Sequence, residues 1–210
     1  MPVLYALAMR TRRLGSSDLE VTVVGLGCNN FGGRIDEEAS RAVIDAALEV
    51  GVTFFDTADV YGNRGGSEEI IGRALAGKRD QVVLATKFGH DLGDGETARG
   101  ARAYIRKAIE ESLRRLQTDW IDLYQYHLPD GVTPVEETLG ALDELVQEGT
   151  VRAIGSSNFT AQMVEEGHTV AAERGLTPFV SEQSQYSWLR REAEEELLPT
   201  CERLGVGFIP

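Results

Sequence analysis

Four side chains that could move a proton or hold a charge, Asp56, Tyr61, Lys87 and His127, each follow a short run of apolar residues. Thr53-Phe54-Phe55 reads as a buried strand ending on Asp56, and Tyr61-Gly62 lies in the loop it feeds. In a parallel α/β sheet the carboxyl ends of strands and the following loops line the ligand crevice, so residues so placed share a site. A phenol with a pKa of ~10 is a sluggish acid at neutral pH, and a lysine beside it favours phenolate and lowers that pKa. Lys87 ends the next strand and could do this, with Asp56 holding it charged and oriented. His127, one strand further on, could donate a hydrogen bond to an oxygen held between itself and the phenol. Together these groups make a proton donor aimed at a carbonyl, as reduction to an alcohol requires. Taken singly, each has a plain structural use: a loop cap, an ion pair, a core histidine. Their order along successive strands is what favours a shared site.

The elements that must position them alternate. Arg13 to Val21 predicts a hairpin, and Val21 to Leu26 the first core strand. Asp36 caps a helix with the apolar stripe Ala39, Val43, Ala46, Ala47 and Val50, stopped by Gly51. A strand around Phe54 precedes a helix from Ser67 to Leu75, and Val82 to Lys87 precedes a helix from Ala101 to Leu116. Ile121 to His127 precedes a helix announced by Thr133-Pro134-Val135-Glu136, a capping box with proline at its first position. Ala153 to Ser157 precedes a helix from Thr160 to Arg174. Phe179 to Glu182 precedes one from Arg191 to Leu204, and a last strand begins at Val206. Strand centres recur about every 26 to 39 residues, the length of a strand plus a crossover helix, which demands a parallel sheet. Asp56, Lys87, His127, Ser157 and Gln183 fall at or just after successive strand ends. An open sheet would gather its ligand groups at one switch point, whereas a barrel collects them from many strands onto one rim. The reading is an α/β protein, a (β/α)₈ TIM barrel left incomplete, without the eighth strand and last helices. Residues 12–210 make the barrel domain, and residues 1–11 read as an N-terminal extension, a candidate for disorder.

Composition removes other classes. A net charge of -13 argues against a surface built to neutralise nucleic-acid phosphates. No apolar run approaches the ~20 residues of a membrane span. Cys28 and Cys201 are too few for a disulfide scaffold and suit a reducing, cytoplasmic setting. Gly72 to Lys78 has phosphate-loop spacing, but Arg79 stands where Ser or Thr should bind magnesium, and the stretch ends a helix. Gly25-Leu26-Gly27 lacks the third glycine of a dinucleotide fingerprint. His90, His127 and His168 never pair at metal-ligand spacing, so no metal site is expected. Ser156-Ser157 lacks the glycine of a nucleophile elbow. Phe31, Tyr126 and Trp188 are as well explained by packing as by lining a pocket.

Phe54 to Gly62, Ala85-Thr86-Lys87, Leu123 to His127, Ile154 to Phe159 and Gln183 to Ser187 resemble, in this order, the motifs of the aldo-keto reductase family. The likeness runs from about Arg12 to Pro210 and supports the barrel argued above. It implies NADP(H)-linked, metal-free interconversion of a small-molecule carbonyl and its alcohol. Tyr61 would be the general acid, tuned by Lys87 and Asp56, and His127 would position the carbonyl. Ser157, Asn158 and Gln183 would hold the nicotinamide carboxamide. The resemblance also implies a longer chain, with an eighth strand, a loop over the nicotinamide and a basic segment for the adenosine 2′-phosphate after Pro210. The expectation for the present chain is therefore weak or no activity. A non-catalytic, nucleotide-binding regulatory subunit is the alternative reading, and another barrel enzyme acting on sugar phosphates a more distant one. Substrate identity, the choice of NADP over NAD and oligomeric state are not encoded in these motifs.

Overall fold

A computed structural model describes residues 9–210. Most of the N-terminal extension, residues 1–8, lies outside the described residues. The described chain opens with an antiparallel hairpin, β1 (Thr11–Arg13) and β2 (Glu20–Thr22), with Thr11 opposite Thr22. Seven parallel strands follow, β3 (Gly25–Gly27), β4 (Phe54–Asp56), β5 (Val83–Phe88), β6 (Ile121–Tyr126), β7 (Val151–Ser157), β8 (Ser181–Gln183) and β9 (Gly207–Ile209). They lie side by side in chain order, so every crossover joins neighbours. The crossovers carry α1 (Glu37–Glu49), α2 (Tyr61–Ala74), α3 (Arg102–Leu116), α4 (Val135–Gln147), α5 (Ala161–Arg174) and α6 (Leu197–Leu204). This is the architecture of an incomplete (β/α)₈ barrel, with β3 and β9 as unpaired edges among the described residues.

Two apolar layers follow from the two-residue period of the strands. Outward-facing Phe55, Leu84, Phe88, Tyr124 and Ile154 pack with the inner faces of the helices. Inward-facing Phe54, Ala85, Leu123, Ala153 and Val180 form a second cluster, which Leu14 and Val21 of the hairpin close from the amino-terminal end of the strands. Two residues further along the same inward face stand Asp56, Lys87 and Gln125. An apolar floor thus gives way to a polar layer at the carboxyl ends.

Four local expectations need correction. Val21 to Leu26 is not one strand: the chain leaves the hairpin after Thr22 and re-enters the sheet at Gly25. Glycine is needed there because the Phe54 ring occupies the space a Cβ would take. In α1, Asp36 caps as expected, accepting from Ala39 N at 2.9 Å, but the buried face is Ser40 and Ile44, while Val43 is 40% and Val50 62% exposed. The helix follows the edge strand β3, and its two bonds from Arg73 to Glu37, at 2.9 and 3.0 Å, bind it to α2. The capping box of α4 does not form, because Pro134 itself occupies the cap position and Thr133 bonds to Asp130 instead. The stretch from Arg191 to Leu204 divides into a short 3₁₀ turn at Glu192–Glu194 and α6, with Pro199 in the first turn, where a missing N–H costs nothing.

Candidate active site

Asp56, at the end of β4, is the acceptor around which the rim is built. Lys87 Nζ donates to Asp56 Oδ2 at 2.6 Å and to the Thr57 carbonyl at 2.8 Å. The lysine is fully buried, so its charge rests on these oxygens and on the neighbouring Tyr61 phenol. Gln125 Nε2, from β6, donates to Asp56 Oδ1 at 3.1 Å, and Gln183 Nε2, from β8, to Oδ2 at 3.2 Å. One carboxylate therefore ties its own strand to side chains from three others. A cavity of about 440 Å³ opens beside it between the edges β3 and β9, lined by Gly27, Asp56, Gln183 and Ile209 among others.

Tyr61 is the first residue of α2. Lys87 Nζ sits 5.2 Å from its ring centroid, and the ring meets that of His127 edge-on at 5.7 Å. Lys87 pulls the phenol's pKa down, as expected, but the net shift is upward. Burial, which disfavours phenolate, outweighs the attraction of the Lys87 charge, and the Asp56 carboxylate adds to the rise. Tyr61 is thus held as a neutral phenol. His127 follows β6, with its backbone N–H donating to the Phe88 carbonyl at 2.8 Å. Burial pushes its pKa down to about 3, with Lys87 and His90 adding like-charge repulsion. It is a neutral imidazole with one N–H and one lone pair, and its Nδ1 is buried without a protein partner. The ring is not a satisfied core histidine.

Ser157 ends β7 beside Gln183, and Asn158 follows it. Ser157 Oγ donates to the Gln183 carbonyl at 2.8 Å, and Asn158 Nδ2 to the His127 carbonyl at 2.9 Å. Asn158 adopts a left-handed backbone (φ 59°), a conformation its short polar side chain tolerates. The side-chain carbonyls of Asn158 and Gln183 accept no hydrogen bond from described residues, leaving two acceptors beside a hydroxyl. That set suits a ligand carboxamide, whose NH₂ needs acceptors. Among the described residues no group of three His, Cys, Asp or Glu is arranged to hold a metal ion, and no helix is long and apolar enough to cross a membrane.

Sequence reasoning missed Gln125. The available signal was its place two residues before His127 on a wholly buried strand, directly opposite Lys87 in the register. It missed His90 as well, whose ring centroid lies 5.1 Å from that of His127. Of the aromatic residues held open, Phe31 packs in the core, Tyr126 stacks on Phe88 at 5.0 Å and also borders a surface cavity with Phe159, and Trp188 is 90% exposed in the loop after β8, where it lines a shallow cavity with Tyr186 and Arg191. Both cysteines are free and buried.

Comparison with known proteins gives one answer. The model of the Aldo/keto reductase family matches residues 23–210. Aldo-keto reductase YhdN of Bacillus subtilis (strain 168) is 43% identical over 198 residues, 91% of this chain and 58% of that protein. The solved structure of aldo-keto reductase AKR11C1 from Bacillus halodurans (holo form) superposes with a TM-score of 0.84 at 40% identity, over 96% of this chain and 65% of that one. The chain thus spans less than two thirds of the length of either relative.

Proposed function

Because this chain belongs to the aldo/keto reductase family, an oxidoreductase family, we propose that its rim serves the NADP(H)-dependent reduction of small aldehydes and ketones to alcohols, with Tyr61 as general acid. The nicotinamide, when bound, supplies the hydride. The remaining work falls to this chain's residues. Ser157, Asn158 and Gln183 hold the carboxamide of the ring. The neutral His127 donates a hydrogen bond to the substrate carbonyl oxygen, and Tyr61 transfers its phenolic proton to that oxygen as negative charge develops there. Lys87, fixed by Asp56, places a positive charge beside the phenolate that results. The reading carries over to a cytoplasmic setting, which suits two buried, unpaired thiols.

One observation carries this reading: the arrangement in which a buried Lys87–Asp56 pair stands beside Tyr61, itself edge-on to an uncharged His127. It is tested by following NADPH consumption with small aldehydes. Tyr61→Phe should lower turnover by the ~10²–10⁴ that acid catalysis contributes, while NADPH fluorescence titration shows unchanged binding. Equal turnover in the variant would remove Tyr61 from the chemistry. A cooperative melt without NADPH binding would mean that the described residues do not suffice to hold the cofactor.

A further inference from the structure

Outside the rim, a second polar cavity of about 160 Å³ lies between the start of α2, the loop before α3 and α3 itself. Its floor is Asp59. That carboxyl is almost wholly buried, and its Oδ1 has no hydrogen-bond partner. Buried polar atoms are seldom left this way unless something absent from the protein satisfies them. Its sides are Arg115, Tyr104, Arg64 and Lys107. Arg115 is occupied with Glu68 at 2.6 Å, but Arg64 and Lys107 have no carboxylate within ion-pair distance among the described residues. Arg64 reaches over the loop, with Nη2 3.1 Å from where a Cβ on Gly93 would stand. The other two carboxylates of the lining, Asp94 and Glu111, already pair with Arg99 and Arg115.

We propose that this cavity is a binding site for a small tetrahedral oxyanion of the phosphate or sulfate class, held by Arg64 and Lys107 at the mouth and by a hydrogen bond from the Asp59 carboxyl at the floor. A metal cation is disfavoured because two free cationic side chains guard the entrance and no group of three ligating side chains is present among the described residues. Donors from two separate segments, the turn into α2 and α3, suit a ligand with acceptors on several sides, and guanidinium and ammonium groups form their strongest hydrogen bonds with such anions. The Asp59 carboxyl must be protonated to donate. Burial and the neighbouring Glu68 raise its pKa to about 8, against Arg115 and Arg99, and Tyr104 and Tyr124 face it without charge at neutral pH. The site is separate from the rim yet joined to it. Asp59 N donates to the Lys87 carbonyl at 3.0 Å, and Arg64 belongs to the turn that follows Tyr61.

Isothermal titration with sodium sulfate, whose charge is constant from pH 6 to 9, tests this on the full chain against sodium chloride at equal ionic strength. Saturable one-to-one binding is expected, weakened about tenfold by each of Arg64→Ala and Lys107→Ala, as loss of one charge-assisted hydrogen bond implies. Affinity should fall above pH 8, where Asp59 ionises, whereas Asp59→Asn, which keeps an N–H donor of the same size, should bind with no such fall. Inorganic phosphate should compete with sulfate at neutral pH. A heat no larger than that of chloride, an affinity indifferent to both cation variants, or identical pH profiles for the wild type and Asp59→Asn would each overturn the proposal.

Discussion

Lys87 Nζ and Asp56 Oδ2 stand 2.6 Å apart, but the two partners depend on each other unequally. Asp56 keeps the Gln125 and Gln183 amides as donors if the lysine is removed, whereas Lys87 keeps only uncharged partners, the Thr57 carbonyl and the Tyr61 phenol, if the carboxylate is removed. Leaving one member of a buried pair uncompensated costs about 3–5 kcal/mol. Asp56→Ala should therefore lose about that much stability, and Lys87→Met less by at least ~1 kcal/mol. Urea denaturation of the two variants checks the order. A reversed order would mean that the carboxylate, not the lysine, is the partner left worse compensated.

Tyr61 and His127 set the pH behaviour expected of the proposed reaction. Burial raises the phenol above its ordinary pKa of ~10, so the acid form persists through the whole neutral range. His127, with its pKa down at about 3, stays neutral over the same range. Carbonyl reduction should therefore be flat from about pH 5 to 9 and fall only as Tyr61 ionises at higher pH. A limb centred near pH 6.5 in the turnover profile would show that an imidazole titrates in the chemistry, against the burial argument.

Asp59 makes stability itself depend on pH. Its carboxyl titrates at about 8 in the folded chain against an ordinary 3.8, so between those values the native state binds the extra proton. Stability changes with pH in proportion to protons bound in the unfolded state minus those in the native state, which here is negative. This contribution is therefore full below about pH 4 and lost progressively as pH rises to about 8. Asp59→Asn removes the penalty and should raise stability at pH 8 relative to wild type by at least ~1 kcal/mol, with little gain at pH 4. Melting temperatures at the two pH values give the comparison, and a gain that is equal at both would point to packing, not ionisation.

What the chain itself made legible follows from where the information is local. Asp56, Lys87 and His127 could be read because each ends a strand whose apolar run is contained in a few consecutive residues. Their convergence follows from the strand order, which the repeat length already implied. The face of α1 could not be read in this way. Val43 and Ile44 are equally apolar, and only the packing of that helix beside an edge strand decides that Ile44 is buried and Val43 exposed. The net direction of the Tyr61 shift was hidden for a related reason: the attraction of Lys87 was foreseeable, but the larger effect of burial depends on how completely the surrounding elements enclose the ring. Gln125 was overlooked because a glutamine on a buried strand declares its purpose only once Asp56 is placed opposite its amide.

The turn after Tyr61 is the most strained backbone near the rim. Gly62, Asn63, Arg64 and Gly65 all have positive φ, at 66°, 61°, 70° and 103°. Left-handed residues with a Cβ cost roughly 1–2 kcal/mol each, and runs of them are rare outside glycine. Asn63→Gly should relieve part of this and change stability by no more than about 1 kcal/mol in either direction, because glycine also raises the entropy of the unfolded chain. Gly62→Ala is different in kind. Its Cβ would meet the carbonyl oxygen of Phe31 and the backbone N of Ser67, atoms of fixed backbone that cannot swing aside. The variant should lose more than ~2 kcal/mol. Because the turn begins immediately after Tyr61, on the proposed reading it should also reduce kcat for carbonyl reduction while NADPH affinity, proposed to rest on β7 and β8, is retained. If Gly62→Ala melts like the wild type, the left-handed turn is not the conformation this loop holds in solution.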